Sequence, residues 1–324
     1  MNENDSERME ALLRRDGFSK SASAKKAEVL VVNTCSIREK SYQKALSEVG
    51  RLYKNHEGGE RPIVAVTGCV ASHESETILK KFPFVDLVLG PDHETSLPEL
   101  IREVKEKKTR KALVDFQDIS DYEFPSPLLW ETTEKEPQKK VKAYVTIMKG
   151  CDNTCSFCIV PFVRGEEVSR QSEDIIEEIR VLEKQGVREI MLLGQNVNSY
   201  GKGFVDKTPP QARFAKLLSL IEQETSVARV RYTSPHPKDL SDELIEQHRD
   251  NQKLCPHIHL PVQSGSSRIL KKMRRAYTRE VYLRKVESLR KAVPDISITT
   301  DIIVGFPGET SGAEWKIPQS FFLF

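Results

Sequence analysis

The chain has 324 residues, of which 38% are hydrophobic, so it is long enough to form about two domains with buried cores. Fifty Lys and Arg residues against forty-eight Asp and Glu residues give a formal net charge of +2, which excludes a strong overall field directed at a polyanion. The sequence contains neither an apolar run of membrane-spanning length nor a signal peptide, and its six scattered cysteines do not suggest a secreted disulfide framework. We therefore expect a cytoplasmic protein without membrane contacts.

The first predicted domain, residues 1–117, alternates helices and strands. A helix is predicted from an N-cap at Asp5 to about Arg15, with Gly17 ending it. Strands are then predicted at 28–33, 62–67, 85–89 and 111–116, with helices at 36–53, 75–82 and 97–107. This alternation is typical of an α/β domain with a doubly wound parallel sheet.

Two cysteines follow predicted strands of this first domain. Cys35 comes after one apolar strand and Cys69 after the next. In such sheets ligands gather at the carboxyl edge, where the loops that follow the strands come together. The pair therefore indicates either a binding site or two small buried residues that end their strands.

A proline-bearing stretch, residues 118–140, is predicted to link this domain to a second one at 141–324. Predicted strands at 141–148, 189–193, 230–233, 257–262 and 297–304 alternate there with helices at 172–185, 214–224, 242–249, 266–274 and 278–292. Repeated strand–helix units of this length build a (βα) barrel or part of one, and chemistry in barrels lies at the carboxyl ends of the strands.

Three cysteines follow the first strand of this second domain. Cys151, Cys155 and Cys158 have C-x3-C-x2-C spacing, which suits three corners of a [4Fe–4S] cluster and leaves one iron open to a chelating amine and carboxylate. The alternatives are a zinc site completed by Cys255, His257 or His259, a disulfide with a spare thiol, and buried cysteines that act as small hydrophobic residues. The residues alone leave these open.

The triplet spacing resembles that of radical S-adenosylmethionine enzymes, whose barrel core has six strands; five are visible here. The resemblance implies a [4Fe–4S] cluster, S-adenosylmethionine and a 5′-deoxyadenosyl radical. The stretches 33–38 and 67–71, around Cys35 and Cys69, resemble the N-terminal domain of methylthiotransferases. In that domain three cysteines hold an auxiliary [4Fe–4S] cluster, and this sequence begins just after the position of the first.

Four further stretches, 161–170, 193–201, 232–237 and 260–266, resemble the MiaB group of tRNA 2-methylthio-N6-isopentenyladenosine synthases. The resemblance implies methylthiolation at C2 of N6-isopentenyladenosine beside the tRNA anticodon. It also implies sulfur from the auxiliary cluster, a methyl group from a second S-adenosylmethionine, an electron donor such as flavodoxin or ferredoxin, and a monomer. C2 carries an unactivated C–H bond, which explains why a radical is needed.

Several polar residues follow barrel strands and are candidates for holding S-adenosylmethionine or substrate, or for satisfying their own loops. They are Gln195, Asn196, Ser234, Gln263 and Asp301. Three histidines, His236, His257 and His259, are interpreted as core residues. A basic run, Lys271, Lys272, Arg274 and Arg275, predicts either contacts with RNA phosphates or a solvated helix face.

The resemblance also predicts a chain truncated at both ends, since the C-terminal RNA-binding (TRAM) domain of the family has no counterpart in the sequence. With only Cys35 and Cys69 at the auxiliary site, we expect one robust cluster and incomplete methylthiolation. Two other functions stay open from the sequence: an inactive remnant that binds one iron–sulfur cluster, and a zinc-stabilised RNA-binding protein.

Overall fold

The computed structural model describes residues 1–35, 39–120, 122–126, 140–205 and 207–310, without the side chains of residues 39–42. The chain forms two compact units. Unit 1 comprises Met1–Leu129 and Ile159–Gly165, and unit 2 comprises Trp130–Cys158 and Glu166–Phe324. Residues 127–139 of the predicted linker lie outside the described residues, so the boundary between the two domains stays a prediction. Within the described ranges no helix is long and apolar enough to cross a membrane.

Unit 1 is built on a parallel sheet with strand order β1-β2-β3-β4, as the alternating pattern predicts. The strands are β1 (Val29–Thr34), β2 (Ile63–Gly68), β3 (Leu87–Leu89) and β4 (Lys111–Leu113). The helices are α1 (Asn2–Arg15), α2 (Glu39–Lys54), α3 (Cys69–Lys81) and α4 (Leu97–Lys107). Residues 36–38, where the second predicted helix begins, lie outside the described part of the chain.

Helices cover both faces of this sheet. Val64 and Val66 point to one face and pack with Leu46 of α2 and Ile78 of α3. Ala65, between them, points to the other face, where α1 and α4 contribute Met9, Leu97 and Ile101. Because both faces are covered, the central strands read as continuous apolar runs rather than as alternating patterns.

The predicted N-cap at Asp5 is wrong. Helix α1 begins at Asn2, which places Asp5 inside the helix, where it is 1% exposed. Its carboxylate accepts a hydrogen bond from the Arg164 guanidinium at 2.7 Å. A buried carboxylate needs a cationic partner far more than a helix end needs a cap, and this contact fixes the role of Asp5.

Unit 2 is a partial barrel. Its strands are β5 (Lys142–Thr146), β6 (Met148–Lys149), β7 (Val168–Ser169), β8 (Glu189–Leu193), β9 (Arg229–Tyr232), β10 (His257–His259) and β11 (Ser297–Thr299). A short helix, α5 (Val160–Arg164), precedes β7 in the chain and belongs to unit 1. The other helices are α6 (Ser172–Lys184), α7 (Arg213–Glu224), α8 (Asp242–Asp250), α9 (Ser267–Lys272) and α10 (Arg279–Ala292).

The five predicted barrel strands are confirmed, in their predicted order. Strands β5, β8 and β9 pair in parallel, and Leu254, just before β10, pairs with Val230 of β9. Strand β10 pairs in parallel with β11, and a bridge between Gln263 and Ile302 extends that contact. The short antiparallel pair of β6 and β7 was not predicted, since two-residue strands leave no periodic pattern.

Unit 2 contains a fully buried ion pair between the segment after β7 and helix α6. Arg170 and Glu178 are 1% and 2% exposed, and their guanidinium and carboxylate groups are in direct contact. The carbonyl oxygen of Arg170 also accepts a hydrogen bond from the Tyr200 hydroxyl at 2.7 Å. The pair therefore joins the segment after β7 to helix α6 and to the loop after β8.

Candidate iron–sulfur sites

The three-cysteine loop follows strands β5 and β6, at the carboxyl end of the first barrel strand. Cys151 and Cys155 are buried and Cys158 is half-buried, and no disulfide joins any of the six cysteines. The loop begins at Gly150, whose φ of +75° lies in the region that favours glycine. The Gly150 amide donates to Oε1 of Gln195 at 2.5 Å, so the loop after β8 fixes the start of the cysteine loop.

The middle of the loop is anchored to the segment after α9. The Ser156 amide donates to the Met273 carbonyl oxygen at 3.1 Å, and the Ser156 hydroxyl donates to that of Lys272, also at 3.1 Å. On the other side, the carboxylate of Asp152 accepts from the Glu167 amide at 2.9 Å and pairs with Lys202. The loop is thus held by several elements of unit 2, which is what a preorganised ligand set requires.

Hydrogen-bond donors point at two of the three sulfurs. Nδ2 of Asn153 lies 3.3 Å from Sγ of Cys151, and Nη1 of Arg275 lies 3.3 Å from Sγ of Cys155. Arg275 is only 6% exposed, and its guanidinium also donates to the Tyr277 hydroxyl at 3.1 Å. Burial raises the pKa of the Cys151 thiol, which the Asn153 contacts oppose. Amide and guanidinium donors suit anionic sulfur, so these residues fit an iron–sulfur cluster.

The residues of the zinc alternative lie elsewhere in unit 2. Cys255 is buried just before β10, and His257 and His259 lie on β10 itself. The rings of both histidines lie within hydrogen-bond distance of the Thr299 hydroxyl on the neighbouring strand. Among the residues that the structure describes, no group of three His, Cys, Asp or Glu side chains could hold a single metal ion.

The predicted basic run does not form one surface. Lys271, Lys272 and Arg274 are exposed, whereas Arg275 is buried on the sulfur of Cys155. Arg274 and Ala276 have φ values of +57° and +55°, so the chain turns sharply on both sides of Arg275. For Arg275 both interpretations of the run, an RNA contact and a solvated face, are therefore wrong.

Polar side chains converge behind the loop after β8. Asn196 is 1% exposed and donates through Nδ2 to the Asp239 carboxylate at 2.9 Å. Glu167 accepts a hydrogen bond from the Ser199 hydroxyl at 2.9 Å. Burial raises the pKa of both Glu167 and Asp239. Oδ1 of Asn196 has no hydrogen-bond partner in the described part of the chain, so it is a buried acceptor that the described protein groups leave unsatisfied.

The other three candidate residues follow β9, β10 and β11. Ser234 and Gln263 have φ values of +58° and +69°, a strained conformation for residues other than glycine. The Gln263 amide donates to the Asp301 carbonyl oxygen at 2.9 Å, and the Asp301 carboxylate lies 3.2 Å from Nε2 of His259. Ser234 is exposed and the Asp301 side chain is 67% exposed, so both side chains are accessible.

His236 is buried, as a core histidine should be, but it is not fully satisfied. Its Nδ1 accepts from the Lys238 amide at 3.2 Å, and its ring meets that of Tyr277 edge-on at 5.7 Å between centroids. Burial, with a contribution from Arg275, lowers its pKa to about 2, so the ring is neutral at physiological pH. Nε2 has no hydrogen-bond partner among the described residues.

Cys35 and Cys69 each follow a strand at the carboxyl edge of the unit 1 sheet. Thr34 and Gly68 pair directly across β1 and β2, and each cysteine is the next residue along the chain, with Cys69 beginning α3. Neighbouring strands are about 4.8 Å apart, so the two cysteines follow adjacent strand ends. Gly68 has a φ of +89°, and a Cβ there would collide with the Thr34 carbonyl oxygen, so only glycine fits beneath Cys69.

Comparison with known proteins agrees with this geometry. Residues 145–315 match the radical SAM superfamily, and residues 1–90 match the uncharacterized protein family UPF0004. The chain is 47% identical over 310 residues to the tRNA-2-methylthio-N(6)-dimethylallyladenosine synthase of Myxococcus xanthus strain DK1622, and 48% identical over 310 residues to that of Geobacter metallireducens. The chain belongs to the radical SAM superfamily and to this synthase family within it.

The chain spans about two thirds of these synthases, namely 64% of the Myxococcus protein and 68% of the Geobacter protein, while 96% of the chain is aligned. Solved radical SAM structures share its fold. The methyltransferase TsrM from Kitasatospora setae, with cobalamin and a [4Fe–4S] cluster bound, has a TM-score of 0.59 at 14% identity and covers 92% of this chain and 63% of its own. The cobalamin-dependent radical enzyme OxsB has a TM-score of 0.57 at 14% identity, over 92% of this chain and 42% of its own.

In this synthase-family chain, a buried ionic cluster surrounds Cys69. Arg164, at the end of α5, is 6% exposed; its Nε donates to Sγ of Cys69 at 3.2 Å and its Nη2 donates to Asp5 at 2.7 Å. Arg8 and Glu94 are also buried and interact electrostatically with this group. This cluster leaves little trace in the sequence, where its only signal is an arginine inside the family-like stretch 161–170.

Glu94 gives this cluster a pH dependence. Burial, reinforced by Asp5 and opposed by Arg164 and Arg8, raises the Glu94 pKa from 4.5 to about 8. Between these values the folded state keeps a proton that the unfolded state has lost, so the contribution of Glu94 to stability falls as pH rises from about 4.5 to 8. We expect Glu94→Gln to flatten the pH profile of unit 1 stability in that range.

Urea unfolding of unit 1, followed by hydrogen exchange at β2 between pH 5 and 8, measures this effect. Glu99→Gln, on the exposed side of α4, is the matched control and should leave the slope unchanged. Parallel profiles for the parent chain and Glu94→Gln would contradict the raised pKa.

Proposed function

We propose that this chain carries out tRNA methylthiolation at C2 of N6-isopentenyladenosine beside the anticodon, giving the 2-methylthio nucleoside. One observation supports this most: a three-cysteine loop at the carboxyl end of the first barrel strand, in which Cys151 and Cys155 are buried and receive an amide and a guanidinium donor at their sulfurs. The relatives that share this loop region are named for the same product. The names of these relatives support the choice of substrate, and the cysteine loop supports radical chemistry at an iron–sulfur cluster.

Membership of the radical SAM superfamily implies a [4Fe–4S] cluster and S-adenosylmethionine. We assign Cys151, Cys155 and Cys158 as the cluster ligands. When bound, these cofactors supply the electron and the 5′-deoxyadenosyl radical with which an unactivated C–H bond is broken. The protein's part is to orient and to exclude water: Gln195 fixes the start of the loop, and Arg275 and Asn153 donate to two ligand sulfurs.

Cys35 and Cys69 are assigned to a second [4Fe–4S] cluster, the source of the inserted sulfur. Two findings support the fit: the cysteines follow directly paired strand residues, and a buried guanidinium donates to one of the two sulfurs. Thiolate ligation is what holds such clusters, so a site with these two thiols should hold iron less firmly than the Cys151 loop does.

Gln195, Asn196, Ser234, Gln263 and Asp301 are assigned to contacts with S-adenosylmethionine or the substrate base. Oδ1 of Asn196 supports this as a buried acceptor with no hydrogen-bond partner among the described residues. A base in an anticodon loop can be splayed out and received without melting a helix. The exposed Lys271, Lys272 and Arg274 are assigned to tRNA phosphates. We further propose a cytoplasmic monomer reduced by flavodoxin or ferredoxin.

The test is an anaerobic assay with reconstituted chain, S-adenosylmethionine, a reductant and tRNA with or without the isopentenyl group. We expect 5′-deoxyadenosine to form, and to form faster with isopentenylated tRNA. Mass spectrometry of the nucleosides should show 2-methylthio product below one per chain, because the sulfur source is weakly held. A chain that binds iron and sulfide but does not cleave S-adenosylmethionine would instead be an inactive remnant. Zinc without iron would show a zinc-binding protein.

A further inference from the structure

The contact between Arg164 and Cys69 is unusual because both groups are buried. Cys69 is 8% exposed and Arg164 is 6% exposed, and they are far apart in sequence. A guanidinium removed from water costs several kcal/mol unless anionic partners surround it. Asp5, on α1, supplies one anion at 2.7 Å. Nε of the same guanidinium donates a hydrogen bond to the sulfur of Cys69 at 3.2 Å.

The surroundings of Arg164 carry both signs of charge. Glu94 is buried and interacts electrostatically with Asp5, Arg164, Arg8 and Asp92. Within this cluster the Arg164 guanidinium has two acceptors at hydrogen-bond distance, the Asp5 carboxylate and the Cys69 sulfur. A guanidinium donor is a favourable partner for a sulfur ligand that carries negative charge.

We propose that Arg164 is a positioning residue for the second iron–sulfur site: held by Asp5, it fixes the Cys69 sulfur and places a positive charge beside it. This rests on the proposed function, since it takes Cys69 as a cluster ligand. Hydrogen bonds to ligand sulfurs and nearby positive charge raise the reduction potential of a cluster and slow the loss of its ligands.

The experiment uses the full chain with Cys151→Ala, Cys155→Ala and Cys158→Ala, so that bound iron reports the Cys35 and Cys69 site. After reconstitution with iron and sulfide, two quantities are measured: the rate at which a chelator removes iron, and the midpoint potential by redox titration with EPR. Arg164→Gln should release iron about 10 to 100 times faster and should shift the potential to more negative values. Arg164→Lys keeps the charge and should keep the potential near that of the parent.

Arg170→Gln is the matched control. It also removes a buried arginine that is paired with a buried carboxylate, but within the described residues its guanidinium donates to Glu178 and to the carbonyl oxygens of Thr146 and Asp174, and not to a cysteine. These partners belong to unit 2, so the loss of stability is expected in unit 2, and the iron release and potential of the Cys35 and Cys69 site should equal those of the parent. If Arg164→Gln also behaves like the parent, the inference is wrong while the second cluster stands. If the parent itself binds no iron, the proposed second cluster is wrong, and the inference falls with it.

A measurement without iron keeps the contact testable even where clusters are labile. Urea midpoints of Arg164→Gln, Cys69→Ser and the combined variant form a double-mutant cycle, and the two changes should be non-additive because the side chains touch. Additive shifts would overturn the contact. Since Arg164→Gln leaves the buried Asp5 without the guanidinium that pairs with it, the same cycle is repeated in an Asp5→Asn background, in which both members of that charge pair are neutral.

Discussion

Replacing Cys151, Cys155 and Cys158 together by alanine is expected to remove the stable [4Fe–4S] cluster and to reduce S-adenosylmethionine cleavage to background. The loop supplies all three thiolates from within eight residues, and Asn153 and Arg275 donate to two of the sulfurs. Thiolate ligation is what holds the cluster, so the triple variant should bind about four fewer irons per chain than the parent. The loss should appear in Mössbauer spectra and in the absence of 5′-deoxyadenosine.

Cys255→Ala is the control for this change. Cys255 is also a buried cysteine of unit 2, at 8% exposure, but it lies in the strand region before β10 rather than on the loop. It should leave the iron content and the cleavage rate unchanged. A full complement of iron in the triple variant would contradict the assignment of the three loop cysteines as cluster ligands. Zinc in place of iron in the parent would also contradict it.

Breaking the buried pair of Arg170 and Glu178 is expected to have the largest effect on stability. Arg170→Met leaves the Glu178 carboxylate buried without its cation, which typically costs about 3 to 5 kcal/mol. It also removes donors to the carbonyl oxygens of Thr146, at the end of β5, and Asp174, in α6. Hydrogen exchange at the amides of β5 and β8 measures the loss in unit 2 by itself.

Two variants separate charge from packing in this prediction. Arg170→Met combined with Glu178→Leu should recover most of the loss, because no unpaired charge stays buried. Arg180→Met, on helix α6 like Glu178, breaks an exposed pair with Glu224 of α7 and should cost at most about 1 kcal/mol. A loss in Arg170→Met no larger than in Arg180→Met would contradict the role of burial.

Much of the fold follows from local pattern. The helix predicted at 97–107 has those bounds, because Pro98 starts it and apolar residues recur at helical spacing. The barrel strands were found from short apolar runs, though the last is shorter than predicted, ending at Thr299 rather than at residue 304. The cysteine loop was found because its three cysteines are close in sequence.

The arginines that contact cysteine sulfurs could not be found this way. Arg164 lies 95 residues from Cys69, and Arg275 lies 120 residues from Cys155. In sequence each is simply a basic residue, one in a family-like stretch and the other in a basic run. The positive φ values of Ser234 and Gln263 could not be predicted either, because neither residue type favours this conformation and no local pattern marks it. Local patterns reveal ligands that are sequence neighbours, and they miss partners that folding brings together.

Unit 1 is completed by residues 159–165, although the residues on both sides of that segment belong to unit 2. Neither unit is therefore a single continuous piece of the gene. A fragment that stops before residue 130 contains Asp5 and Cys69 but lacks Arg164. A fragment that starts at residue 130 contains Arg164 but lacks the Asp5 carboxylate that pairs with it. A chimera that joins the first half of one synthase to the second half of another must therefore keep Asp5 and Arg164 compatible. We expect the residues at these two positions to change together in functional chimeras.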